Sequence, residues 1–192
     1  MAVRSDELRE IIAQAQHNNQ FAYEHIYNRY VDMLYRYLYA RCQNTSLAEE
    51  ALSELWLRVV QYLPNFRIPE HGVDQAFTSW LYRIARNLSI DMVRKDRLTT
   101  EALPETLLSP DPDLDDSLLA QDDRRILRAA MDKLTIEQRE VIHMRFHEDR
   151  TSAEVAKLTG RTESAVKALQ HRALGALARA MGIERHTERN SW

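Results

Sequence analysis

Residues 77–95 form a stretch of 19 residues without glycine or proline, and their apolar side chains recur at helical spacing. At 100° per residue, one face is apolar: Leu81, Ile84, Ala85, Leu88 and Met92. The opposite face sets an aromatic ring, cations and an amide side by side: Trp80, Arg83, Asn87 and Arg94. Such a face suits a nucleic-acid strand, and the solvated basic face of an ordinary amphipathic helix fits it equally well.

The composition of the whole chain favours an all-α globular protein. Its 192 residues include only 4 Gly and 5 Pro, and 44% of them are hydrophobic. The single cysteine, Cys42, excludes an internal disulfide and fits a reducing compartment. No apolar run approaches the roughly 20 residues that span a membrane, and the first residues have no apolar signal core. We therefore expect a cytoplasmic protein without membrane contact.

Charge divides the chain into three parts. Residues 1–95 carry 11 basic and 11 acidic side chains, residues 96–123 carry 1 and 9, and residues 124–192 carry 14 and 9. Three prolines and an acidic run make the middle part unsuited to a packed element. The sequence therefore predicts two small helical domains, 1–95 and 124–182, joined by a flexible acidic linker over 96–123. Residues 183–192 are a tail.

In the first domain, helices are predicted over residues 6–17, 21–42, 46–63 and 77–95. The third of these should begin at a capping box that starts with Ser46, and the fourth should be capped by Thr78 or Ser79. Residues 64–76 are predicted to form a loop. The acidic outer face of the third helix fits a solvated surface, and it fits a docking surface for a basic partner as well.

In the second domain, a helix over 118–133 precedes a helix-turn-helix unit. Capping boxes at Thr135 and Thr151 each open a helix, Gly160 marks a tight turn, and Thr162 caps the last helix over 163–180. The outward face of that helix carries small, polar and basic side chains: Ser164, Lys167, Ala168, His171, Arg172 and Arg179. This pattern favours DNA binding over a plain helical hairpin.

Three stretches together resemble one known family. Ala48–Val60, Phe77–Lys95 and Leu134–Ala180 resemble, in order and spacing, the two conserved domains of sigma-70 family initiation factors. The compact group with extracytoplasmic function (ECF) is the most similar. The resemblance covers about residues 18–96 and 120–180. Its specific signatures are Trp80–Asn87 in the first domain and Val166–Ala173 in the second.

The resemblance implies an alternative sigma factor that binds core RNA polymerase, through its clamp coiled coil and flap, and promoter DNA. The implied clamp contacts are Glu49, Glu50, Leu52, Ser53, Glu54, Leu55, Trp56 and Arg58. The loop 65–78 and the following helix would open the −10 element and hold a flipped base, through Arg67, Trp80, Arg83, Asn87, Arg94 and Lys95. The −35 element would be contacted by Thr151, Arg161, Thr162, Ser164, Lys167, Ala168, His171 and Arg172.

The resemblance also implies an anti-sigma factor as a partner. This chain departs from the family pattern in having Ser53 where Gln is common and in a loop, 66–77, that looks longer than usual. His143 and His147 have the spacing of a zinc helix but no catalytic Glu between them, so we expect no metal site. No phosphate-binding loop or nucleophile motif occurs. We expect no enzyme activity, cofactor or small-molecule substrate.

Two alternatives remain open from the sequence. A free-standing helix-turn-helix regulator would bind operator DNA without polymerase. A helical partner-binding protein would use its first domain for docking alone, so that charge reversal at Arg83 and Arg94 would leave its activity intact.

Overall fold

The computed structural model describes residues 5–100 and 121–182, and every regular element within these two ranges is helical. The elements are α1 (Ser5–Gln16), α2 (Gln20–Cys42), α3 (Thr45–Tyr62), a 3-10 turn (Leu63–Asn65), α4 (Val73–Thr100), α5 (Gln121–Asp132), α6 (Ile136–Ile142), a π-helical turn (His143–His147), α7 (Ser152–Thr159) and α8 (Glu163–Ala180). The all-α prediction is confirmed. Most of the predicted linker, and the tail 183–192, lie outside the described residues.

Side-chain caps confirm the predicted helix starts in the second domain. Thr135 and Thr151 each form a complete capping box. The threonine side chain accepts a hydrogen bond from the backbone N–H three residues later, and the side chain of that later residue accepts one from the backbone N–H of the threonine. Thr162 accepts from the N–H of Ala165 at 3.2 Å. These local bonds satisfy the N–H groups that a helix start leaves unpaired, which is why sequence spacing locates them.

The structure corrects two predicted starts in the first domain. Helix α3 is capped by Asn44, whose Oδ1 accepts from the N–H of Leu47 at 3.1 Å, so Ser46 lies inside the helix. Helix α4 begins at Val73 rather than Phe77, and Thr78 is buried within it. The predicted loop 64–76 is consequently shorter, because a 3-10 turn takes up its beginning and α4 its end.

Contacts with α2 account for the early start of α4. Asp74, in its first turn, accepts hydrogen bonds from Arg29 at 3.2 Å and from the Tyr30 hydroxyl at 3.3 Å. Val73 is almost fully buried. A carboxylate is also favourable near the positive end of a helix dipole. Tertiary contacts that no local motif announces therefore add a full turn to this helix.

The predicted linker boundaries are also corrected. Helix α4 continues to Thr100, and α5 begins at Gln121, so both ends of the 96–123 segment are helical. Residues 118–120 of the predicted helix over 118–133 lie outside the described residues, and the described part of it is helical from Gln121 to Asp132. Local helix propensity outweighs the acidic composition at these ends, since nothing there breaks a helix.

One continuous core joins the two domains. In the first domain α2 packs against α1, α3 and α4, and in the second α8 packs against α6 and α7. Helices α6 and α7 pack in turn on α2 and α4. The buried cluster runs through both domains, from Leu34 and Leu81 to Val141 and Val166. No helix in the described part of the chain is long and apolar enough to span a membrane.

Candidate nucleic-acid interface

The basic stripe predicted on α4 faces outward. Arg83, Asn87 and Arg94 are exposed, and they lie at spacings of four and seven residues along one side of the helix. Lys95 is exposed too, with its Nζ 3.9 Å from a carboxylate oxygen of Glu50 on α3. The buried positions Leu81, Ala85 and Leu88 lie on the other side. The amphipathic prediction for this helix is therefore confirmed.

Trp80 has a different environment from the rest of the stripe. Its ring is half-buried in an aromatic cluster, with centroids 5.2 Å from Phe66 and 5.6 Å from Phe77. Phe77 in turn meets Tyr30 edge-on at 5.5 Å. Such contacts fix the indole in place while leaving part of it accessible. A fixed, partly exposed aromatic ring beside exposed cations is a platform on which a base could stack.

The loop before α4 consists of residues 66–72, which we name the α4 loop. Arg67, the predicted −10 contact in this segment, is exposed on it. Gly72 ends the loop with φ +66°, a left-handed conformation that favours glycine. The expectation that this loop spans 66–77 is wrong, because the last five of those residues are in α4.

The predicted polymerase-binding residues on α3 divide by burial. Glu49, Glu50 and Ser53 are exposed, and Glu54 pairs with Arg58 at 2.9 Å. Leu52 and Trp56 are half-buried, and the Trp56 ring packs at 4.9 Å on Tyr27. These side chains form the outer surface of α3.

Leu55 does not belong to that surface. It is fully buried, so its assignment to a polymerase contact is wrong and its role is in the core. Conversely, two apolar side chains of α3 lie outside the core: Val60 is 55% exposed, and Leu57 is 68% exposed. Both apolar side chains lie beside the acidic residues of α3. An amphipathic pattern with apolar residues on two sides is the signal that would have located them.

The helix-turn-helix of α7 and α8 has its predicted geometry. Gly160 closes α7 with φ +66°, and Thr162 then opens α8. The predicted outward residues on α8 are all exposed: Ser164, Lys167, Ala168, His171 and Arg172. Thr151 and Thr162 are exposed caps at the two helix starts. Five side chains of α8, together with its cap Thr162, are thus exposed on one face.

Arg161 is the exception among the predicted −35 contacts. Its Nη1 donates to Oε2 of Glu140 at 2.6 Å, and the side chain is only 14% exposed. In this arrangement Arg161 is paired with Glu140 within the second domain, and a DNA contact requires it to leave Glu140. The sequence pattern of a basic residue in a tight turn contains no sign of that buried partner.

Glu140 is the centre of this junction and is fully buried. The hydroxyl of Tyr37 donates to its Oε1 at 2.6 Å, and Nη1 of Arg41 lies 2.9 Å from the same oxygen, although its N–H is not aligned as a hydrogen bond. Arg86 on α4 approaches to 3.9 Å. Burial and the neighbouring Glu140 carboxylate raise the pKa of Tyr37 well above its usual value. A buried carboxylate thus joins α2, α4 and the second domain.

A second polar cluster lies beside the first. The Tyr82 hydroxyl on α4 contacts both carboxylate oxygens of Glu148, at 2.6 and 2.7 Å, and Arg150 donates to Glu148 at 2.6 Å. His143 Nε2 is 3.2 Å from Glu148 but poorly aligned. Burial alone would raise the pKa of Glu148, but contacts with His143, Tyr82 and Arg150 outweigh it and lower that pKa. The carboxylate is therefore held in its ionised form.

Metal and thiol chemistry receive no support from the described side chains. The His143 and His147 rings meet edge-on at 5.3 Å, and no group of three or more His, Cys, Asp or Glu residues among those described could hold a metal ion. Burial raises the pKa of Cys42 to about 11, which keeps the thiol protonated at neutral pH.

Comparison with known protein families matches both domains. Residues 26–99 match the family described as Sigma-70 region 2, and residues 130–179 match Sigma-70, region 4. The exposed residues of the α4 stripe and of the α8 face all lie within the matched ranges. Helix α1 lies before the first match.

Similar proteins cover most of the chain. It is 33% identical over 185 residues to the ECF RNA polymerase sigma factor BldN of Streptomyces coelicolor, covering 94% of this chain and 69% of that protein. It is 31% identical over 167 residues to the ECF RNA polymerase sigma factor SigX of Bacillus subtilis, covering 83% and 84%.

Solved structures share the fold. RpoE from Bartonella quintana, solved with the anti-sigma factor NepR, has a TM-score of 0.65 at 18% identity, with 84% of this chain and 98% of that chain covered. CnrH, solved with the cytosolic domain of CnrY, has a TM-score of 0.63 at 20% identity, with 92% and 97% covered. With both regions matched and relatives above 30% identity, the chain belongs to the sigma-70 family, as an ECF RNA polymerase sigma factor that directs transcription initiation.

Proposed function

We propose that this sigma factor docks on core RNA polymerase through the outer face of α3, opens the −10 element along α4 and contacts the −35 element with α8. The observation that carries the proposal is the α4 stripe, where Arg83, Asn87 and Arg94 are exposed next to the half-buried ring of Trp80. The two sequence matches supply the family context.

The outer face of α3 supports docking through two kinds of side chain. Leu57 and Val60 expose apolar surface that water solvates poorly, and burying it against a partner is favourable. Glu49, Glu50 and Glu54 surround that surface with negative charge, which complements a basic partner and speeds encounter. We therefore add Leu57 and Val60 to the proposed polymerase contacts and remove Leu55.

The α4 face supports strand opening. A base taken out of the duplex loses its stacking on neighbouring bases. Stacking on an aromatic ring such as Trp80 stabilises the displaced base by about 1–3 kcal/mol. The exposed guanidinium groups of Arg83 and Arg94 would neutralise phosphates of the displaced strand, and Asn87 can both donate and accept hydrogen bonds. Arg67, exposed on the α4 loop, extends the same charged surface.

The α8 face supports duplex recognition. Small side chains at Ser164 and Ala168 allow close approach to base edges in the major groove, and Lys167, His171 and Arg172 supply donors. The N-terminal cap at Thr162 places backbone N–H groups where a phosphate could bind. In this proposal residues 1–95 and 124–182 act as the −10 and −35 domains, respectively.

Regulation by an anti-sigma factor is the corresponding proposal for partners. RpoE and CnrH were each solved with a protein partner, and NepR is described as an anti-sigma factor. We also propose a cytoplasmic location, because core RNA polymerase, the proposed partner, acts there.

The test is run-off transcription on genomic fragments with core polymerase from the source organism. We expect promoter-dependent transcripts only when both proteins are present, and Leu57→Asp should abolish them by preventing docking. Core polymerase binding, measured separately, should fall with Leu57→Asp and remain with Arg83→Glu. Promoter binding of equal affinity without polymerase would instead support a free-standing regulator, and the absence of transcripts from every fragment would contradict the proposal.

A further inference from the structure

Helix α1 holds the C-terminal end of the α4 loop through Arg9. The Nη2 atom of Arg9 donates to the carbonyl oxygens of Pro69 and Glu70, at 2.5 and 2.6 Å. Loop carbonyls have no ladder or helix partner of their own, so a side-chain donor fixes the backbone at this point. Arg9 therefore anchors the part of the loop just before Gly72.

Helix α1 holds the N-terminal end of the α4 loop through Gln16. The Nε2 atom of Gln16 donates to the carbonyl oxygens of Leu63 and Phe66, at 3.0 and 2.6 Å. Arg9 and Gln16 are seven residues apart, so both project from the same side of α1. Two side chains of one helix thus hold the two ends of one loop.

The helix that makes these contacts is itself fixed. Leu8, Ile12 and Ala15 are at most 1% exposed and belong to the core of the first domain. Ordering a loop costs backbone entropy at each residue, and a rigid neighbour can offset this cost before the ligand arrives. Helix α1 is suited to that role because its own position is set by packing.

The two anchors lie on either side of Arg67, the exposed loop residue proposed to contact the −10 element. Gln16 binds the carbonyl of Phe66, whose ring contacts Trp80 at 5.2 Å, and Arg9 binds the carbonyl two residues beyond Arg67. The backbone that carries Arg67 is therefore fixed relative to the indole on which a base would stack.

We propose that Arg9 and Gln16 are positioning residues for −10 recognition, which shape the α4 loop so that base choice depends on helix α1. This inference rests on the proposed function of α4 and its loop. Neither residue lies within the matched Sigma-70 region 2, which begins at residue 26. Neither residue contacts DNA in this proposal.

The test uses a promoter library randomised at the −10 and −35 elements, transcribed by core polymerase with wild-type or variant protein and sequenced from the transcripts. We expect Arg9→Ala with Gln16→Ala to weaken the −10 base preference about three- to tenfold and to leave the −35 preference unchanged. Replacing Arg9 by Lys (Arg9→Lys) instead of Ala keeps a donor and the charge, so this change should preserve part of the −10 base preference. Glu10→Ala and Gln14→Ala, at exposed sites on the same helix, should behave as wild type.

Two outcomes would overturn the inference. One is an unchanged −10 preference in the double variant, and the other is an equal decline at −10 and −35, which would indicate a general loss of structure. Hydrogen exchange of the free protein gives a readout that is independent of transcription: amides 66–72 should exchange faster in the double variant, and equal rates would overturn the inference. If the wild type yields no promoter-dependent transcripts, the proposed function fails, and hydrogen exchange alone then decides whether α1 holds the loop.

Discussion

The charged residues of this protein occupy two contrasting environments. At the junction between the domains, Glu140 and Arg41 are at most 1% exposed and paired within one network. On the outer faces of α4 and α8, Arg83, Arg94 and Lys167 are exposed to solvent. At the first place the charges are used in contacts within the fold, and at the second they are available for a ligand. Substitutions in the two groups should therefore affect different measurements.

The largest effect is expected at the centre of the junction. Glu140→Ala leaves Arg41 and Arg161 without their buried anion, and breaking such a pair typically costs about 3–5 kcal/mol. The free energy of unfolding, measured by urea denaturation, should fall by this amount. Glu137→Ala, on the same helix but exposed, should cost less than about 1 kcal/mol. Equal losses would remove the distinction between buried and exposed charges.

Charge reversal on α4 should have the opposite profile. Arg83→Glu should lower promoter opening by roughly 10- to 100-fold, since a hydrogen bond between charged groups is worth about 1.5–3 kcal/mol. Opening can be followed by permanganate reactivity of unpaired thymines. Lys133→Glu makes the same charge change at an exposed site away from both faces and should leave opening intact. A stability loss with Arg83→Glu would show that this residue belongs with the structural charges.

A smaller effect is expected on α8. Lys167→Ala should weaken holoenzyme binding to promoter DNA up to about tenfold and reduce its salt dependence, because a phosphate or base contact is lost. Its 2.7 Å pair with Glu163 is exposed, so the free energy of unfolding should change by less than about 0.5 kcal/mol. Lys157→Ala, on the exposed side of α7, is the matched control.

The smallest effect concerns pH. Because the folded-state pKa of Glu148 is lowered, its contribution to stability is fully present above its unfolded pKa and is lost as the pH falls through the folded pKa. Glu148→Gln should therefore reduce the loss of stability on acidification, as measured by denaturation between about pH 6 and pH 3. Asp149→Asn, at the exposed neighbouring position, should retain the wild-type acid sensitivity. An identical acid response of Glu148→Gln would contradict this role.

The sequence predicted the helices and their faces well because both depend on local patterns. The boxes at Thr135 and Thr151 located α6 and α7 because capping involves residues only three apart. The alternation of apolar and basic positions likewise identified the outward side of α4. The start of α4 was missed, since it depends on Asp74 meeting Arg29 and Tyr30, which are more than forty residues away.

The junction could not be predicted for the same reason. The spacing of apolar residues along α2 identifies its buried side, where Tyr37 and Arg41 lie. That spacing contains no sign that a carboxylate from the other domain contacts them there. Glu140 is fully buried, although glutamate is a residue type that is rarely buried in proteins. Arg161 has the sequence context of a phosphate contact and the structural context of an internal ion pair.

That ion pair makes one guanidinium a ligand for two competing anions. If Arg161 contacts a promoter phosphate, as the resemblance implies, the phosphate competes with the carboxylate of Glu140, which holds the same group at 2.6 Å. The apparent affinity for DNA is then its intrinsic value multiplied by the fraction of molecules in which the internal pair is already broken. By reciprocity, DNA bound at Arg161 disfavours the internal pair, so promoter contact is thermodynamically linked to the ion pairing of Glu140, which also contacts Tyr37 and Arg41 of the first domain.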